Sequence, residues 1–367
     1  MTMVEVEVSC PVHDSFRVQQ VTGLFDVPIA RRASERFRVE VPELGDDWQI
    51  GLIVGPSGSG KSTLADRLFG DRLYRQPSWP EDRAVVDCLG DLPIKQITAL
   101  FTAVGFSSPP SWIKPYRVLS GGERFRCDLA RAMAGASLKA TTDGPEPLVA
   151  FDEFTSVVDR TVARIGSAAI AKAIRSGRIR CRLAAVTCHY DVAEWLQPDW
   201  VLDMATGTFT RRCLRRPEIR VDVFRCEHAA WSLFKRHHYL NGSLHGSARC
   251  YIALWEGTPV AFCATVAMMG RKGRRRISRI VTLPDFQGIG IGMRVAETVA
   301  RLHVEEGYRV NVTASHPAMI AHCRRSPHWR AVNIMKNGAA RQGSKRLQRY
   351  RGSRGRAVVS FEYTGAS

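Results

Sequence analysis

The sequence predicts a two-domain chain, with an α/β domain over residues 1–212 and an α+β domain over residues 213–367. Its 367 residues are enough for two or three domains of roughly 100 to 200 residues each. At two places, residues 55–63 and residues 287–292, an apolar pattern of strand type leads into a glycine-rich turn and then into a helical pattern. The pattern of elements starts again after residue 212, which sets the predicted boundary.

The net positive charge of the chain belongs entirely to its second half. The sequence has 53 Lys and Arg against 35 Asp and Glu, a formal net charge of +18. Residues 1–212 carry 26 residues of each sign, whereas residues 213–367 carry 27 basic and 9 acidic residues. Only the second half is therefore expected to meet a polyanion.

The composition excludes several classes of protein. With 45% hydrophobic and 24% charged residues, it is typical of an ordinary globular chain. No stretch approaches the ~20 apolar residues of a membrane-spanning helix, and the N-terminus has no secretory pattern, so we expect a cytoplasmic protein that does not enter a membrane. The ten cysteines form no C-x-x-C pair, which favours reduced thiols over a disulfide framework or a zinc site.

Residues 55–63 read Gly-Pro-Ser-Gly-Ser-Gly-Lys-Ser-Thr, between a strand pattern at residues 48–54 and a helical pattern at residues 64–69. This is a P-loop in its required setting. Its glycines allow backbone N–H groups to surround phosphate oxygens at a helix N-terminus, while Lys61 reaches the β- and γ-phosphates and Ser62 holds Mg²⁺. The predicted ATP-binding residues are Gly55, Ser57, Gly58, Gly60, Lys61, Ser62 and Thr63.

A second candidate element follows the apolar run at residues 147–151, which ends in Asp152 and Glu153. Asp152 is predicted to bind Mg²⁺ through water. Glu153 is predicted to orient the attacking water, because attack on the γ-phosphate depends mainly on positioning. Taken alone, a strand that merely ends in a polar turn is a fair alternative.

Residues 119–123 lie between these two motifs and read Leu-Ser-Gly-Gly-Glu, at the start of a helical pattern that runs to residue 134. Here the sequence resembles the ABC ATPase family, whose signature is this pentapeptide, over about residues 15–212. The resemblance implies that Asp159 belongs to a D-loop and that His189 is a switch histidine.

The same resemblance implies a head-to-tail homodimer while ATP is bound. In that dimer Ser120, Gly121 and Gly122 of one subunit close on the ATP held by the other. A helix N-terminus at Ser120 suits this role, since its N–H groups complement negative charge.

Two departures from the family concern the segment between the motifs. Only 59 positions separate Lys61 from Ser120, a shorter insertion than expected of transporter subunits, which favours a soluble machine. No glutamine ends the strand predicted at residues 84–89, where a Q-loop is expected, and Asp91 or Gln96 is the alternative.

The second half predicts a helical segment at residues 221–239 and then a hairpin around Glu256-Gly257, with strands at residues 251–255 and 259–268. A strand at residues 277–284 and the sequence Gln-Gly-Ile-Gly-Ile-Gly at residues 287–292 follow. The glycines open a helix whose predicted apolar face consists of Ile291, Val295, Val299 and Leu302.

The run Gln-x-x-Gly-x-Gly after a strand resembles the acyl-CoA loop of GNAT-type acetyltransferases, over about residues 220–365. The order agrees, with a strand at residues 308–314, a helix from residue 317 and a late strand at residues 357–363. The resemblance implies that backbone N–H groups here bind the diphosphate of acetyl-CoA or another acyl-CoA. An unrelated nucleotide binder or a structural copy is the alternative. The predicted binding residues are Gln287, Gly288, Ile289, Gly290 and Gly292.

Charge indicates the acceptor class. Residues 271–276 hold five basic residues in six, and residues 336–356 hold eight basic residues and no acidic one. Such runs are often solvated loops, but in a transferase domain they favour nucleic acid, with acidic protein as an alternative.

Residues 234–240 bring together His237, His238 and Tyr239. The segment resembles a His-Tyr element of Mom-like DNA-modifying relatives of the GNAT fold, so His238 and Tyr239 are the predicted catalytic residues. A core or capping role is equally open. His316 and His322 are rival acid or base candidates, because neutral imidazole suits proton removal from an amine.

The order of the two halves resembles ABC ATPases fused to predicted acetyltransferases. We expect an ATP-hydrolysing ATPase coupled to an acyl-CoA-dependent N-acyltransferase that acts on a base amine of nucleic acid. Two alternatives remain: an ATP-regulated protein N-acetyltransferase, and an ABC ATPase with a non-catalytic nucleic-acid-binding module.

Overall fold

The computed structural model describes residues 2–11, 13–25, 32–76, 78–139, 146–211, 217–238, 242–335 and 358–365. The chain divides into two compact units. The first unit comprises Met1–Ser78, Ala132–Asp159 and Ile174–Arg216, and the second comprises Trp79–Arg131, Arg160–Ala173 and Pro217–Ser367. The second unit thus includes two segments of the first half of the sequence, and the domain boundary at residue 212 stays a prediction.

The strands of the first unit are β1 (Thr2–Pro11), β2 (Arg32–Val41), β3 (Ile50–Val54), β4 (Leu73–Tyr74), β5 (Leu148–Phe151), β6 (Arg182–Thr187), β7 (Trp200–Asp203) and β8 (Thr208–Arg211). Those of the second unit are β9 (Asp222–Cys226), β10 (Arg249–Trp255), β11 (Thr258–Ala267), β12 (Arg274–Thr282), β13 (Arg309–Ala314), β14 (Trp329–Met335) and β15 (Val358–Tyr363). The helices in the described ranges are α1 (Phe16–Phe25), α2 (Lys61–Phe69), α3 (Ile94–Ala103), α4 (Pro109–Trp112), α5 (Gly121–Lys139), α6 (Arg160–Arg175), α7 (Val192–Leu196), α8 (Trp231–Phe234), α9 (Ile291–Glu305) and α10 (Pro317–Arg325).

The first unit is built on a six-stranded sheet in the order β4-β5-β6-β3-β7-β8. All neighbouring strands are parallel except the last pair, β7 and β8. Every residue of β3 is buried, because this strand lies between β6 and β7, and its apolar sequence is typical of a central parallel strand. The α/β fold predicted for the first half is confirmed.

The strand predicted at residues 84–89 is wrong. Ala84 makes one isolated antiparallel bridge to Pro115, and Val85–Asp87 form a turn of 3-10 helix. The reason is local hydrogen bonding: the N–H of Asp87 donates to the Ala84 carbonyl, 2.9 Å away, and not to a neighbouring strand.

The second unit is built on a seven-stranded sheet in the order β14-β15-β13-β12-β11-β10-β9. Its pairs are antiparallel except for β12 and β13, which are parallel. Helix α9 is the long connection between these two strands, as a parallel pair requires. The mixed α+β fold predicted for the second half is confirmed.

The predicted hairpin is present, and its turn has the expected chemistry. Glu256 and Gly257 have φ angles of 50° and 78°, both in the left-handed region. A two-residue turn with two positive φ angles matches the right-handed twist of the paired strands β10 and β11.

Two predictions for the second half are wrong. Residues 221–239 are not one helix: Asp222–Cys226 form the edge strand β9, and the helical part is limited to residues 228–237, where Trp231–Phe234 are flanked by 3-10 turns. The backbone of β10 supplies the partners of β9, so sheet pairing overrides the local pattern. Leu302 does not belong to the buried face of α9, because its side chain is 36% exposed.

No helix within the described ranges is both long and apolar enough to cross a membrane.

Candidate functional site

The turn after β3 has the geometry of a phosphate cradle. Gly58 and Gly60 have φ angles of 81° and 78°, which an L side chain rarely adopts. A Cβ added to Gly55 would lie 2.9 Å from the Met204 Cβ, so the turn also packs too closely for a side chain. Lys61 begins α2, and its Nζ donates to the Pro56 carbonyl at 2.7 Å, which folds the ammonium over the turn.

These features fit the triphosphate of ATP. The Oγ of Ser59 is buried and, among the described residues, has no hydrogen-bond partner. Ser62 and Thr63 are exposed in the first turn of α2, where hydroxyl groups reach a nucleotide and its metal. The described ranges contain no group of three or more His, Cys, Asp or Glu that could hold a metal ion. Ser62 and Asp152 are the residues that would hold Mg²⁺, together with phosphate oxygens of the nucleotide.

The segment after β5 holds a strained turn at the predicted carboxylates. Glu153 and Thr155 have φ angles of 52° and 69°, and a left-handed residue other than glycine costs about 1–3 kcal/mol. Buried Phe154 fixes the turn, since its N–H donates to the Val186 carbonyl of β6 at 2.8 Å. Asp152 is half-buried, and its carboxylate accepts the backbone N–H of Glu153 at 2.9 Å. The side chain of Glu153 is exposed.

The structure links His189 to this turn. The ring Nδ1 of His189 lies 3.5 Å from the Thr155 Oγ1. The backbone N–H of His189 donates to the Thr187 Oγ1 at 3.2 Å. Because β5 and β6 are neighbouring parallel strands, residues that follow them meet at one edge of the sheet. Asp159 is exposed at the end of the segment, directly before α6.

The signature residues form a capping box at the start of α5. The Glu123 Oε2 accepts both the N–H and the Oγ–H of Ser120, at 3.0 Å and 3.1 Å. The Glu123 Oε1 accepts the Ser111 hydroxyl at 2.7 Å. A Cβ added to Gly122 would lie 3.1 Å from the Val162 Cγ1 of α6. The N-terminus of α5, with Gly121 and Gly122 in its first turn, is therefore held in place by its own side chains.

The second glycine-rich turn is a sharp bend from strand to helix, as predicted. Strand β12 ends at Thr282 and α9 begins at Ile291, with Gly288 and Gly290 at φ angles of 92° and 101°. The Gln287 Nε2 donates to the Thr282 carbonyl at 2.9 Å. A Cβ added to Gly292 would lie 2.6 Å from the Thr282 Oγ1, so the helix approaches the strand too closely for a larger residue.

The strand before this turn has an open edge. Residue pairs between β12 and β13 run only from Arg274 with Arg309 to Ile277 with Val312. The register between β11 and β12 shifts next to this point, at Ala264 and Thr265. A shift of this kind is typical of a β-bulge, and bulges are common next to active sites. Within the described residues, no pair of β12 with β13 extends beyond Ile277 and Val312.

These features fit an acyl-CoA. Within the part of the chain that the structure describes, the N–H groups from Gly288 to Gly292 donate to no other residue. They stand at the N-terminus of α9, where a diphosphate is favoured. The predicted residues Gln287 and Ile289 shape this cradle, since Gln287 is fixed by side-chain hydrogen bonds and Ile289 is buried.

The predicted acid and base residues differ in their surroundings. His238 is buried, with its ring edge-on to Trp231 at 5.7 Å, and Tyr239 lies outside the described residues. His237 is half-buried and its Nε2 accepts the Arg236 Nε–H at 3.0 Å. Burial, and then the charge of Arg236, lowers the pKa of His237 and favours its neutral form.

Both rival histidines make structural contacts. The Nδ1 of His316 accepts the Ala318 N–H at 3.3 Å and caps α10, and burial lowers the pKa of His316. The Nε2 of His322 lies 2.9 Å from the Glu297 Oε1, within hydrogen-bond distance.

Only part of the basic run at residues 271–276 is exposed. Arg275 is buried, its Nε donates to the Thr265 Oγ1 at 3.3 Å, and Arg274 lies 3.7 Å from the Glu362 carboxylate. The exposed members are Arg271, Lys272 and Arg276. The second basic run, residues 336–356, lies outside the described residues.

Residues that the sequence did not indicate pack against the second glycine-rich turn. The Ser107 N–H donates to the Gln287 Oε1 at 2.9 Å. A Cβ added to Gly288 would lie 2.6 Å from the Ala169 Cβ and 2.8 Å from the Gly105 Cα.

Two cations reach the same turn. The Arg126 Nη2 donates to the Asp285 carbonyl at 3.2 Å, and the Lys172 Nζ donates to the Ile289 carbonyl at 2.9 Å. No pattern in the sequence pairs these residues, which are more than a hundred positions apart.

Residues 209–324 match the model of the acetyltransferase (GNAT) family. A search of curated proteins found no match.

Solved structures similar to the chain include ATP-binding cassettes and acetyltransferases. The dimeric post-hydrolysis state of the ATP-binding cassette MJ0796, bound to ADP and Pi, is 16% identical, with 48% of this chain and 92% of that chain covered and a TM-score of 0.37. The IAA acetyltransferase from Bacillus cereus is 16% identical, with 39% and 99% covered and a TM-score of 0.30. The ribosomal-protein-S18-alanine N-acetyltransferase from Escherichia coli is 16% identical, with 40% and 97% covered and a TM-score of 0.30.

The family match confirms the resemblance predicted for the second half, and the parallel sheet with its P-loop confirms the fold class predicted for the first half. Residues 209–324 therefore carry a match to the acetyltransferase (GNAT) family, preceded in the chain by a P-loop α/β fold whose solved neighbours include an ATP-binding cassette.

Proposed function

We propose that the chain is an ATP-hydrolysing enzyme of ABC type that transfers an acyl group from acyl-CoA to an amine of nucleic acid. The observation that carries the proposal is the presence of two glycine-lined helix starts, at residues 55–63 and 287–292. Each follows a strand, and each presents backbone N–H groups to an anion. The two runs differ in sequence, since only the glycines of the first are followed directly by a Lys-Ser pair and, later in the chain, by a carboxylate pair of the kind that phosphoryl transfer requires.

In ATP hydrolysis, Lys61 and the N–H groups of the P-loop would hold the phosphates. Mg²⁺, when bound at Ser62 and Asp152, would neutralise charge on the phosphate oxygens. The exposed carboxylate of Glu153 would orient the attacking water. His189, whose ring lies next to Thr155, would hold a proton or make a hydrogen bond near that water.

The second subunit of a homodimer would complete this site. Ser120 and the N–H groups of Gly121 and Gly122 stand at a helix N-terminus that is fixed by the Glu123 capping box. A γ-phosphate from a partner copy complements the positive end of that helix.

In acyl transfer, the acceptor amine attacks the thioester carbonyl carbon, the C–S bond breaks, and the CoA sulfur leaves with a proton. The amine nitrogen gives up one proton to a base as the amide forms. His238 and Tyr239 remain the predicted acid and base. His237 is a third candidate, because its lowered pKa keeps the imidazole neutral at about pH 7.

Charge supports nucleic acid as the acceptor. The net charge of +18 belongs entirely to residues 213–367. Three of its cations, Arg271, Lys272 and Arg276, are exposed in the turn before β12 and in the first residues of that strand. Contacts of this kind bind phosphates without regard to sequence and weaken as salt rises.

Contacts within the second unit support coupling between the two activities. The Arg126 Nη1 donates to the Gly122 carbonyl of the signature at 3.3 Å, and its Nη2 donates to the Asp285 carbonyl, two residues before Gln287. Helix α6 begins directly after Asp159 and carries Ala169, which contacts Gly288. A change in the signature or the D-loop on ATP binding would thus reach the turn at residues 287–292, the acyl-donor turn.

Acyl transfer from radiolabelled acetyl-CoA tests the proposal. The full chain is incubated with ATP, Mg²⁺ and label, in separate reactions with DNA, RNA and a protein mixture. We expect label in nucleic acid, with binding that weakens as salt rises. Label in protein alone would favour the protein N-acetyltransferase, and label in none of the three would contradict the transferase proposal.

A further inference from the structure

Lys172 lies at the acyl-donor turn although it belongs to helix α6. Its Nζ donates to the Ile289 carbonyl at 2.9 Å, and a Cβ added to Gly290 would lie 3.0 Å from the same nitrogen. The glycine at position 290 therefore makes room for this ammonium as well as for the left-handed backbone. Lys172 is also exposed, so a ligand can reach it.

The chemistry of an ammonium suits this position. It carries a full positive charge, and its hydrogen bond to the Ile289 carbonyl places that charge at the turn. The N–H groups of Gly288 and Gly290 beside it offer dipoles but no full charge, whereas the diphosphate of CoA is an anion. A charge-assisted hydrogen bond to phosphate is roughly twice as strong as one between neutral groups.

Neighbouring contacts fix the turn relative to α6. Ala169, one helical turn before Lys172, meets Gly288, where an added Cβ would lie only 2.6 Å from the Ala169 Cβ. Residues three or four apart share a helix face, so Ala169 and Lys172 both face the turn. The position of α6 against the turn is thus fixed by close packing at Ala169.

We propose that Lys172 is a diphosphate-binding residue of the acyl-donor site, which makes this site a composite of α6 and the turn before α9. The inference rests on the proposed acyltransferase function. Lys172 lies outside residues 209–324, which match the GNAT family, so the family match alone does not supply this cation.

Calorimetric titration of the full chain tests this role with two acyl donors, acetyl-CoA and S-acetylpantetheine, which lacks the diphosphate. Lys172→Met keeps the aliphatic stem and removes the charge. We expect it to weaken acetyl-CoA binding about tenfold to hundredfold and to leave S-acetylpantetheine binding within about twofold of wild type. Lys172→Arg restores most of the acetyl-CoA affinity, because it keeps a cation.

The matched control is Lys95→Met, which removes another exposed lysine, from α3 in the same unit. We expect wild-type affinity for both donors. Acetyl-CoA binding by Lys172→Met within about twofold of wild type would overturn the inference while leaving the proposed function intact. An equal loss for both donors would show a structural role instead. Failure of the wild-type chain to bind acetyl-CoA would contradict the proposed function itself.

Discussion

Gly288 shows how close packing restricts a residue of the second glycine-rich turn. The sequence assigns it to the diphosphate cradle, but the structure places Gly105 and Ala169 against it, both from the first half of the chain. Its φ angle of 92° and the 2.8 Å from its added Cβ to the Gly105 Cα leave no room for a side chain. Backbone lies on one side of this contact, so a larger residue cannot be accommodated by a rotamer change.

We therefore expect Gly288→Ala to destabilise the chain more than a glycine-to-alanine change elsewhere. Overpacking adds about 1–3 kcal/mol to the cost of a left-handed alanine. The matched control is Gly270→Ala, where φ is 71° but nothing lies within 4 Å of the added Cβ. Urea unfolding monitored by circular dichroism measures the difference, and equal unfolding midpoints for the two variants would contradict the packing account.

The turns of the candidate sites were predictable where a short motif follows a strand. The turns at residues 55–60, 152–155 and 287–292 could be located in the sequence for this reason, while the roles of their residues stay predictions. Arg126 and Lys172 were not found, because their partners are distant in the sequence and a lone basic residue on a helix has no signal of its own. Such contacts form only when the chain folds.

At the scale of an element, α9 carries a buried polar network near its end. His303 is fully buried, and its Nε2 lies 2.9 Å from the Thr265 Oγ1 of β11. Its Nδ1 lies 3.2 Å from the Glu306 carboxylate. Burial lowers the pKa of His303; Glu306 opposes the shift, and Arg275 adds to it. The network therefore holds the neutral imidazole between helix and sheet.

This network predicts a loss of stability in acid. Because the pKa of His303 is lower in the folded chain than in the unfolded chain, the unfolded chain binds more protons as pH falls. The stabilisation is complete above the unfolded pKa and is lost as pH falls from about 7 to about 5. We expect His303→Gln to show a smaller loss of unfolding free energy than wild type over that range. Equal losses in denaturant titrations at both pH values would contradict this role.

Elements were predictable where the local pattern agreed with the final pairing. The hairpin at Glu256 and Gly257 succeeded because its turn chemistry is local. Strand β9 was mistaken for a helix, and β14 was not predicted, since both form at or near sheet edges on partners supplied by other strands. Edge strands carry a weak pattern because one side remains exposed, as in β14.

At the scale of the whole molecule, the first prediction concerns assembly. Glu153→Gln keeps the size of the side chain but removes the carboxylate that orients water, so ATP should stay bound and hold two chains together. Light scattering after size-exclusion chromatography in ATP and Mg²⁺ should give twice the chain mass of 40.9 kDa. The control Glu194→Gln, an exposed glutamate on α7, should hydrolyse ATP and not accumulate as a dimer. A monomeric Glu153→Gln variant with ATP bound would contradict the head-to-tail arrangement.

The second whole-molecule prediction concerns coupling. If α5 and α6 transmit the nucleotide state to residues 285–290, a non-hydrolysable ATP analogue should change the acetyl-CoA dissociation constant about fivefold or more. By linkage, acetyl-CoA should change the affinity for the analogue by the same factor. Arg126→Met should reduce this effect, since Arg126 joins Gly122 to Asp285. Titrations in which each affinity is independent of the other ligand would rule out coupling.

Separate binding of the two ligands tests the central claim most directly, that one chain carries a triphosphate site and an acyl-CoA site. Calorimetry of the full chain should show one equivalent of a non-hydrolysable ATP analogue and one equivalent of acetyl-CoA, with neither displacing the other. Lys61→Ala should lose only the first, and Gly290→Val should lose only the second. Displacement of one ligand by the other, or unchanged acetyl-CoA binding by Gly290→Val, would contradict the account.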